Sequence, residues 1–288
     1  MSRMTVHTAV LMMWATAWLS ASAEASEDHS SSKLTLHFAG NGIHTLEVRA
    51  ITGNITVEAY DKPDVEMVVD KTIVADTDED LARAKREVVL DMQDNASSVG
   101  AVARYPNQGV CGEGYSGSQN SQPRYEVRYD FSIRVPRNTR LQLCTINKGD
   151  VQIKGTQGDF DIRSVNGRII MADIAGSGTA VTVNGPVTAS FVRAPQSAST
   201  FKTINGEVAV TMPEGLAADL HMKTFNGSLF TDFAVQPQAV RTDVTTEKHG
   251  SMSVYRTSGF TTVRVGNGGP ELTLETLNGD VRVMRRAR

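Results

Sequence analysis

Two carboxylates on one short stretch, Asp159 and Asp161 in Gly158-Asp159-Phe160-Asp161, come nearest in this chain to catalytic chemistry. A carboxyl pair can act as general acid and base, or as acid and nucleophile, in glycoside hydrolysis. Neighbours two apart on a strand are, however, ordinarily solvated groups that share one face. A serine nucleophile would have to come from Gly114-Tyr115-Ser116-Gly117-Ser118, which lacks the second Gly of a nucleophile elbow and sits in a loop-like stretch. His37, His44, His221 and His249 show no H-E-x-x-H or Cys/His spacing, so no metal and no cofactor is expected. Gly266-Asn267-Gly268-Gly269 echoes calcium-binding nonapeptides, but it occurs once and without Asp, as a bend would. No catalytic residues are therefore assigned.

The elements that would position such groups are β-strands. Residues 34–74 alternate apolar and polar, as in Leu46-Glu47-Val48-Arg49 and Ile55-Thr56-Val57. One helix is predicted at about 78–87, where acidic residues lead and basic residues close the segment. Strands resume at Val88–Met92, a Gly/Ser/Asn-rich loop interrupts at 106–123, and a long strand runs from Tyr125 to Val135.

From there the chain repeats itself. The copies are TINKGDVQI (145–153), SVNGRIIM (164–171), TVNGPVTA (182–189), TINGEVAV (203–210), TFNGSLFT (224–231) and TLNGDVRV (276–283), with an early relative, ITGNITV (51–57), and a degenerate one, EKHGSMSV (247–254). The first five Asn follow one another at 18 to 21 residues. Such a period, with a turn dipeptide and short flanking strands, predicts an all-β solenoid whose rungs stack to bury a shared core. The competing reading, Asn-Gly hairpins in an antiparallel sandwich, gives no reason to keep one residue type at one offset through six copies.

Parity sorts the positions. Leu141, Leu143 and Thr145, with Phe160, Ile162 and Ser164, Leu220, Met222 and Thr224, and Leu272, Leu274 and Thr276, alternate with polar residues and are predicted to face inward. By the same count Asn147, Asn166, Asn184, Asn205, Asn226 and Asn278 form an internal amide ladder, with Gly supplying positive φ at the corner. The residues before each Asn, Ile146, Val165, Val183, Ile204, Phe225 and Leu277, then point outward as an apolar ridge that a partner could dock on, or that the corner could turn into the core. The outward row past the turn, Asp150, Arg168, Pro186, Glu207, Ser228 and Asp280, is mixed in sign.

The N-terminus carries a compartment signal. Arg3 and His7 precede an apolar run from Thr8 to Leu19, followed by the cleavage triplets Ala21-Ser22-Ala23 and Ala23-Glu24-Ala25, so residues 1–25 read as a secretory signal. The run is far short of the ~20 residues of a spanning helix. An exported chain, periplasmic or extracellular and not membrane-spanning after cleavage, is expected. Its two cysteines, Cys111 and Cys144, then fit one disulfide better than two thiols. A net charge of -3 supplies no basic footprint for nucleic acid. The expected division is a signal (1–25), a polar linker (26–33), a β-rich part with the helix and the loop (34–135), and the repeats (136–288).

The signal segment, the early helix, the entries Val135-Pro136-Arg137-Asn138 and Met212-Pro213-Glu214-Gly215, and the iterated T-x-N-G-x-V-x-V together resemble the bacterial putative-adhesin domain family over roughly residues 40–288, with a departure at the Cys-bearing loop 106–123. The resemblance implies a single-stranded β-helix, right-handed, on an exported envelope protein, and it brings no catalytic residues. A binding or scaffold module follows as the expected function. Its partner would be an envelope protein, a surface glycan or a second copy; a carbohydrate-active β-helix enzyme and an envelope-sensing regulatory component are the alternatives.

Overall fold

The computed structural model describes residues 26–36, 44–95, 97–106, 111, 124–238, 243–249 and 252–287, with backbone alone at 243–249 and 252–258. The signal segment 1–25, His37 and nearly all of the 106–123 loop lie outside the described residues. Alternating apolar residues make β1 (Ser26–Leu36), β2 (Thr45–Arg49), β3 (Ile55–Tyr60) and β4 (Val65–Ala75) before the helix α1 (Asp78–Glu87). After it come β5 (Val89–Asp94), β6 (Ser98–Arg104) and β7 (Tyr125–Pro136). The repeats supply β8 (Arg140–Thr145), β9 (Val151–Lys154), β10 (Phe160–Ser164), β11 (Ile169–Ile174), β12 (Gly178–Val181), β13 (Val187–Phe191), β14 (Ser199–Lys202) and β15 (Val208–Met212). Then follow β16 (Ala218–Lys223), β17 (Leu229–Thr231), β18 (Val235–Pro237), β19 (Asp243–His249), β20 (Met252–Ser258), β21 (Thr261–Val265), β22 (Glu271–Glu275) and β23 (Val281–Arg285).

Among the described residues the fold is all-β, with one helix and two large mixed sheets. Strand order is β1-β4-β7-β3-β9-β11-β13-β15-β23-β17 in the first and β18-β21-β16-β22-β14-β12-β10-β8-β2-β6-β5 in the second. Each repeat puts its strand before the Asn in the second sheet and its strand after the Gly in the first. Successive repeats pair in parallel at equal offset, as in Phe160↔Leu141 and Ile162↔Leu143, and Ile169↔Val187 and Met171↔Ala189. The early copy joins them, with β2 on β8 and β3 on β9. The first and second parts therefore share both sheets and one apolar cluster, from Leu46 to Val283. The core residues expected from parity are buried, among them Leu141, Ile162, Leu220, Leu272 and Leu274, and Phe201 contacts Phe191 edge-on at 5.9 Å. Each aliphatic side chain so buried contributes about 1.5–3 kcal/mol.

Stacking does not follow chain order throughout. The last copy is inserted between its two predecessors: β22 lies between β14 and β16, and β23 between β15 and β17. On the far side of β16, β21 pairs antiparallel with both β16 and β18. The bend Gly266–Pro270 then carries the chain back across β16.

Three expectations are corrected. Residues 26–33 are not a linker: they begin β1, antiparallel to β4 from Ser26↔Ala75 to Leu36↔Val65. An edge strand needs only a neighbour's backbone, so its polar side chains leave no apolar period to read. Residues 247–254 are not a stacked copy, since β19 and β20 pair antiparallel as a hairpin, Glu247 opposite Val254. The segment has no Asn to join the column, and local pairing wins. The Asn column, finally, is exposed at every copy rather than internal. The chain turns at Asn-Gly, and the side chain before Gly is carried to the outer side of the corner.

Close approach, more than φ, demands the glycines. Gly185, Gly206 and Gly279 have φ of 147°, 159° and 149°, but a Cβ on any of Gly149, Gly167, Gly185, Gly206, Gly279 or Gly227 would overlap the carbonyl oxygen of the preceding Gly in the stack. The same carbonyls are capped from inside. Thr145, Thr182, Thr203, Thr276 and Thr224 donate Oγ1–H to Gly53, Gly167, Gly185, Gly206 and Gly279 at 2.8–3.0 Å. Ser164 departs from this pattern, its buried hydroxyl having no partner among the described residues. Helix α1 packs on β4 and β7 through Ala84, with Thr77 accepting from the Asp80 N–H at 3.1 Å as its cap.

Replacing Gly167 by Ala should lower unfolding stability by at least about 2 kcal/mol, whereas Gly215→Ala, with open space at its Cβ, should change it by less than about 0.5 kcal/mol. Urea denaturation of both variants checks this; equal effects would mean the column is not closely packed.

Candidate functional site

The ridge is built by backbone before side chains. At each corner the Asn N–H donates to the carbonyl of the ridge residue one rung earlier: Asn166 to Ile146, Asn184 to Val165, Asn205 to Val183, Asn278 to Ile204 and Asn226 to Leu277, each at 2.8 Å. These bonds hold the ridge side chains one strand spacing apart, about 4.8 Å. The spatial order is thus Ile146, Val165, Val183, Ile204, Leu277, Phe225. Ile51, the equivalent residue of the early copy, is buried, and Ile146, Val165 and Val183 are half-buried. Exposure then rises to 38% at Ile204, 46% at Leu277 and 77% at Phe225. The corner shields the early members and leaves the last three open.

Beside the ridge runs the amide column. Asn166, Asn184, Asn205 and Asn278 each donate Nδ2–H to Oδ1 of the rung before, and Asn226 donates to Asn278, all at 2.7–2.9 Å. Every interior amide is so used on both sides, which makes an exposed polar line parallel to the apolar one.

The carboxylates are placed differently. Asp159 lines a depression of about 270 Å³ with Arg140, Gln142, Asp161, Ser177 and Ser197. Its Oδ1 accepts from the Ser177 N–H at 3.1 Å and its Oδ2 lies 3.4 Å from Arg140 Nη2. Asp161 is gripped by Arg163 through Nε at 3.0 Å and Nη2 at 3.1 Å. The depression brings the two acids together, but each is committed to its own arginine. Sequence reasoning singled out Asp159 and missed Arg140 and Ser177, although both sit at the same offset before an Asn as Asp159 does; that equal offset was the available signal.

The outward row past the turn is likewise paired. Asp280 binds Arg282 Nη2 at 2.7 Å and accepts from the Ser228 N–H at 3.0 Å, and Arg282 also reaches Glu207 and lies 4.3 Å above the Phe230 ring. Among the described residues no three His, Cys, Asp or Glu side chains converge as a metal site, and no helix is long and apolar enough to cross a membrane. The segment Gly114–Ser118 falls outside the described residues. Cys111 and Cys144 form a disulfide with Cα atoms 6.1 Å apart, tying the loop to β8.

No protein-family model and no curated protein matches the chain. Among solved structures it is similar to a "putative cell adhesion protein" from Clostridium sporogenes, at 9% identity and a TM-score of 0.42, covering 89% of this chain and 100% of that one. It is also similar to a "putative lipid binding protein" from Parabacteroides distasonis, at 10% identity and a TM-score of 0.31, covering 90% and 97%. A "putative adhesin" from Bacteroides fragilis follows at 8% identity and a TM-score of 0.28, covering 91% and 98%.

One ion pair on this surface joins two rungs. Asp150 accepts from the Arg168 N–H at 2.9 Å through Oδ1, and from its guanidinium at 2.7 and 3.0 Å through Oδ2. Partial burial pushes the carboxyl upward, but the side-chain and backbone hydrogen bonds from Arg168 outweigh it and hold the pKa below the ordinary value. A lowered folded pKa stabilises above the unfolded carboxylate value and loses that contribution as pH falls through the folded one. Asp150→Asn should therefore cost about 0.5–1 kcal/mol at neutral pH, and the difference from wild type should vanish in acid. Denaturation series at neutral and strongly acidic pH test this, and a gap that persists in acid would contradict it.

Proposed function

We propose that this chain is an exported, non-catalytic β-solenoid that serves the bacterial envelope as a binding or scaffold module, adhesin-like, with the ridge as its docking strip. The observation that carries the reading is the exposed apolar line ending in Ile204, Leu277 and Phe225, since folded monomers rarely leave such a line uncovered. Parallel stacking of like repeats supports the solenoid, the inserted last copy being a permuted rung of it. The disulfide supports an oxidising compartment.

A carbohydrate-active enzyme is the second reading, and the depression holding Asp159 and Asp161 favours it. Their separate pairing with Arg140 and Arg163 weighs against a shared acid–base role.

The purified chain, passed over immobilised copies of itself, envelope glycans and envelope proteins, should show saturable association with one of them. Phe225→Asp combined with Leu277→Asp should weaken it about tenfold or more while circular dichroism and the melting curve stay unchanged. Association indifferent to both substitutions would remove the ridge from the function. New reducing ends released from a glycan, and lost in Asp159→Asn, would make the protein an enzyme.

A further inference from the structure

The repeat that builds the corner is also a reactive sequence. In Asn-Gly the glycine nitrogen can attack the asparagine side-chain carbonyl carbon, because no side chain on the second residue hinders the approach. The new C–N bond closes a succinimide, the amide C–N bond breaks, and the proton lost by the glycine nitrogen is balanced by one taken up as ammonia departs. Water then opens the ring to aspartate or isoaspartate. Two conditions govern the first step: the glycine N–H must be free to give up its proton, and the amide must be free to turn towards it.

The stack withholds both at most copies. Gly185, Gly206 and Gly279 donate their N–H groups to the carbonyls of Asn205, Asn278 and Asn226 at 2.9 Å. The amides of Asn184, Asn205 and Asn278 are held from both sides, each donating to one rung and accepting from the next. Asn166 is held likewise at its amide. In Asn267-Gly268, outside the column, the Gly268 N–H is taken by Val265 O at 3.1 Å.

The end of the stack is different. Strand β17 is the last in its sheet among the described residues, so no further described rung accepts from Gly227 or donates to Asn226. The Asn226 amide keeps its donation to Asn278, but its Oδ1 accepts nothing and the Gly227 N–H donates to nothing among the described residues. Asn226 and Gly227 are both exposed. The geometry points to Asn226 as a site of self-catalysed conversion to aspartate and isoaspartate, set apart from its sister Asn-Gly pairs by its place at the end of the amide ladder. The product carboxylate stands beside Phe225, so the reaction places a negative charge at the most exposed end of the apolar ridge, whether or not that ridge binds a partner.

The full-length chain, incubated folded and in concentrated urea in mildly alkaline buffer and sampled over time by peptide mapping with mass spectrometry, tests this. In urea Asn166, Asn184, Asn205, Asn226 and Asn278 should convert at similar rates, all being followed by Gly. In the folded chain Asn226 should slow roughly fivefold, for the one donation to Asn278 it must release, while Asn184, Asn205 and Asn278 should convert roughly thirtyfold slower than Asn226, the factor for two further ordinary hydrogen bonds, and Asn166 roughly fivefold slower than Asn226, for one further bond. Slowing of Asn226 to the level of Asn205, or conversion of Asn205 in the folded chain as fast as Asn226, would overturn the assignment.

Discussion

The closeness of one glycine to the next governs this structure. From Gly149 to Gly227 each rung brings its turn so near the neighbouring turn that a Cβ would occupy the neighbour's carbonyl oxygen. That approach lets a threonine hydroxyl reach the same carbonyl from within and an asparagine amide reach its neighbour from without. It also sets the register by which Leu, Ile and Val of one sheet meet those of the other. Backbone polar groups at a corner must find partners, and here each rung supplies them for the next.

The same requirement explains why the last copy can enter out of order. A rung recognises its neighbours by a Thr hydroxyl, an Asn amide, a small corner and two pairs of aliphatic residues, all of which residues 276–283 possess. Nothing in that set records position along the chain. The slot between the copies at 203–210 and 224–231 accepts it with Thr276 on Gly206 and Thr224 on Gly279. The excursion through β18 to β21 then covers the outer edge of β16 and leaves β17 as the end of its sheet. The exposure of Phe225 and the open end of the amide column are consequences of that one rearrangement.

The charges on the outer faces are mostly settled between neighbouring side chains. Asp150 with Arg168, Asp161 with Arg163, Asp219 with Arg264 and Asp280 with Arg282 lie at 2.7–3.0 Å. Stacking strands bring such side chains into register, so opposite charges one rung or one pleat apart pair readily. The pairing leaves the apolar ridge as the surface whose chemistry the fold itself does not use.

Much of this was legible in the residues. The repeat and its parity identified the β class and the inward rows from Leu141 to Leu274, because alternation and burial are local and repeat faithfully; of the line expected to face outward, Ile204, Leu277 and Phe225 are open, while the corner half-buries Ile146, Val165 and Val183. The acid-to-base gradient over Asp78–Glu87 identified the helix for the same reason. What parity misjudged was the Asn column, since alternation fails at a corner where the chain turns between sheets. It also missed β1, whose polar side chains face water and whose place is decided by the free edge of β4. Order in the stack was decided by tertiary structure alone: interchangeable rungs carry no address, so only the completed chain, with β21 folded against β16, determines which copy lies between which, and hence which ridge residues, which asparagine and which strand edge remain open.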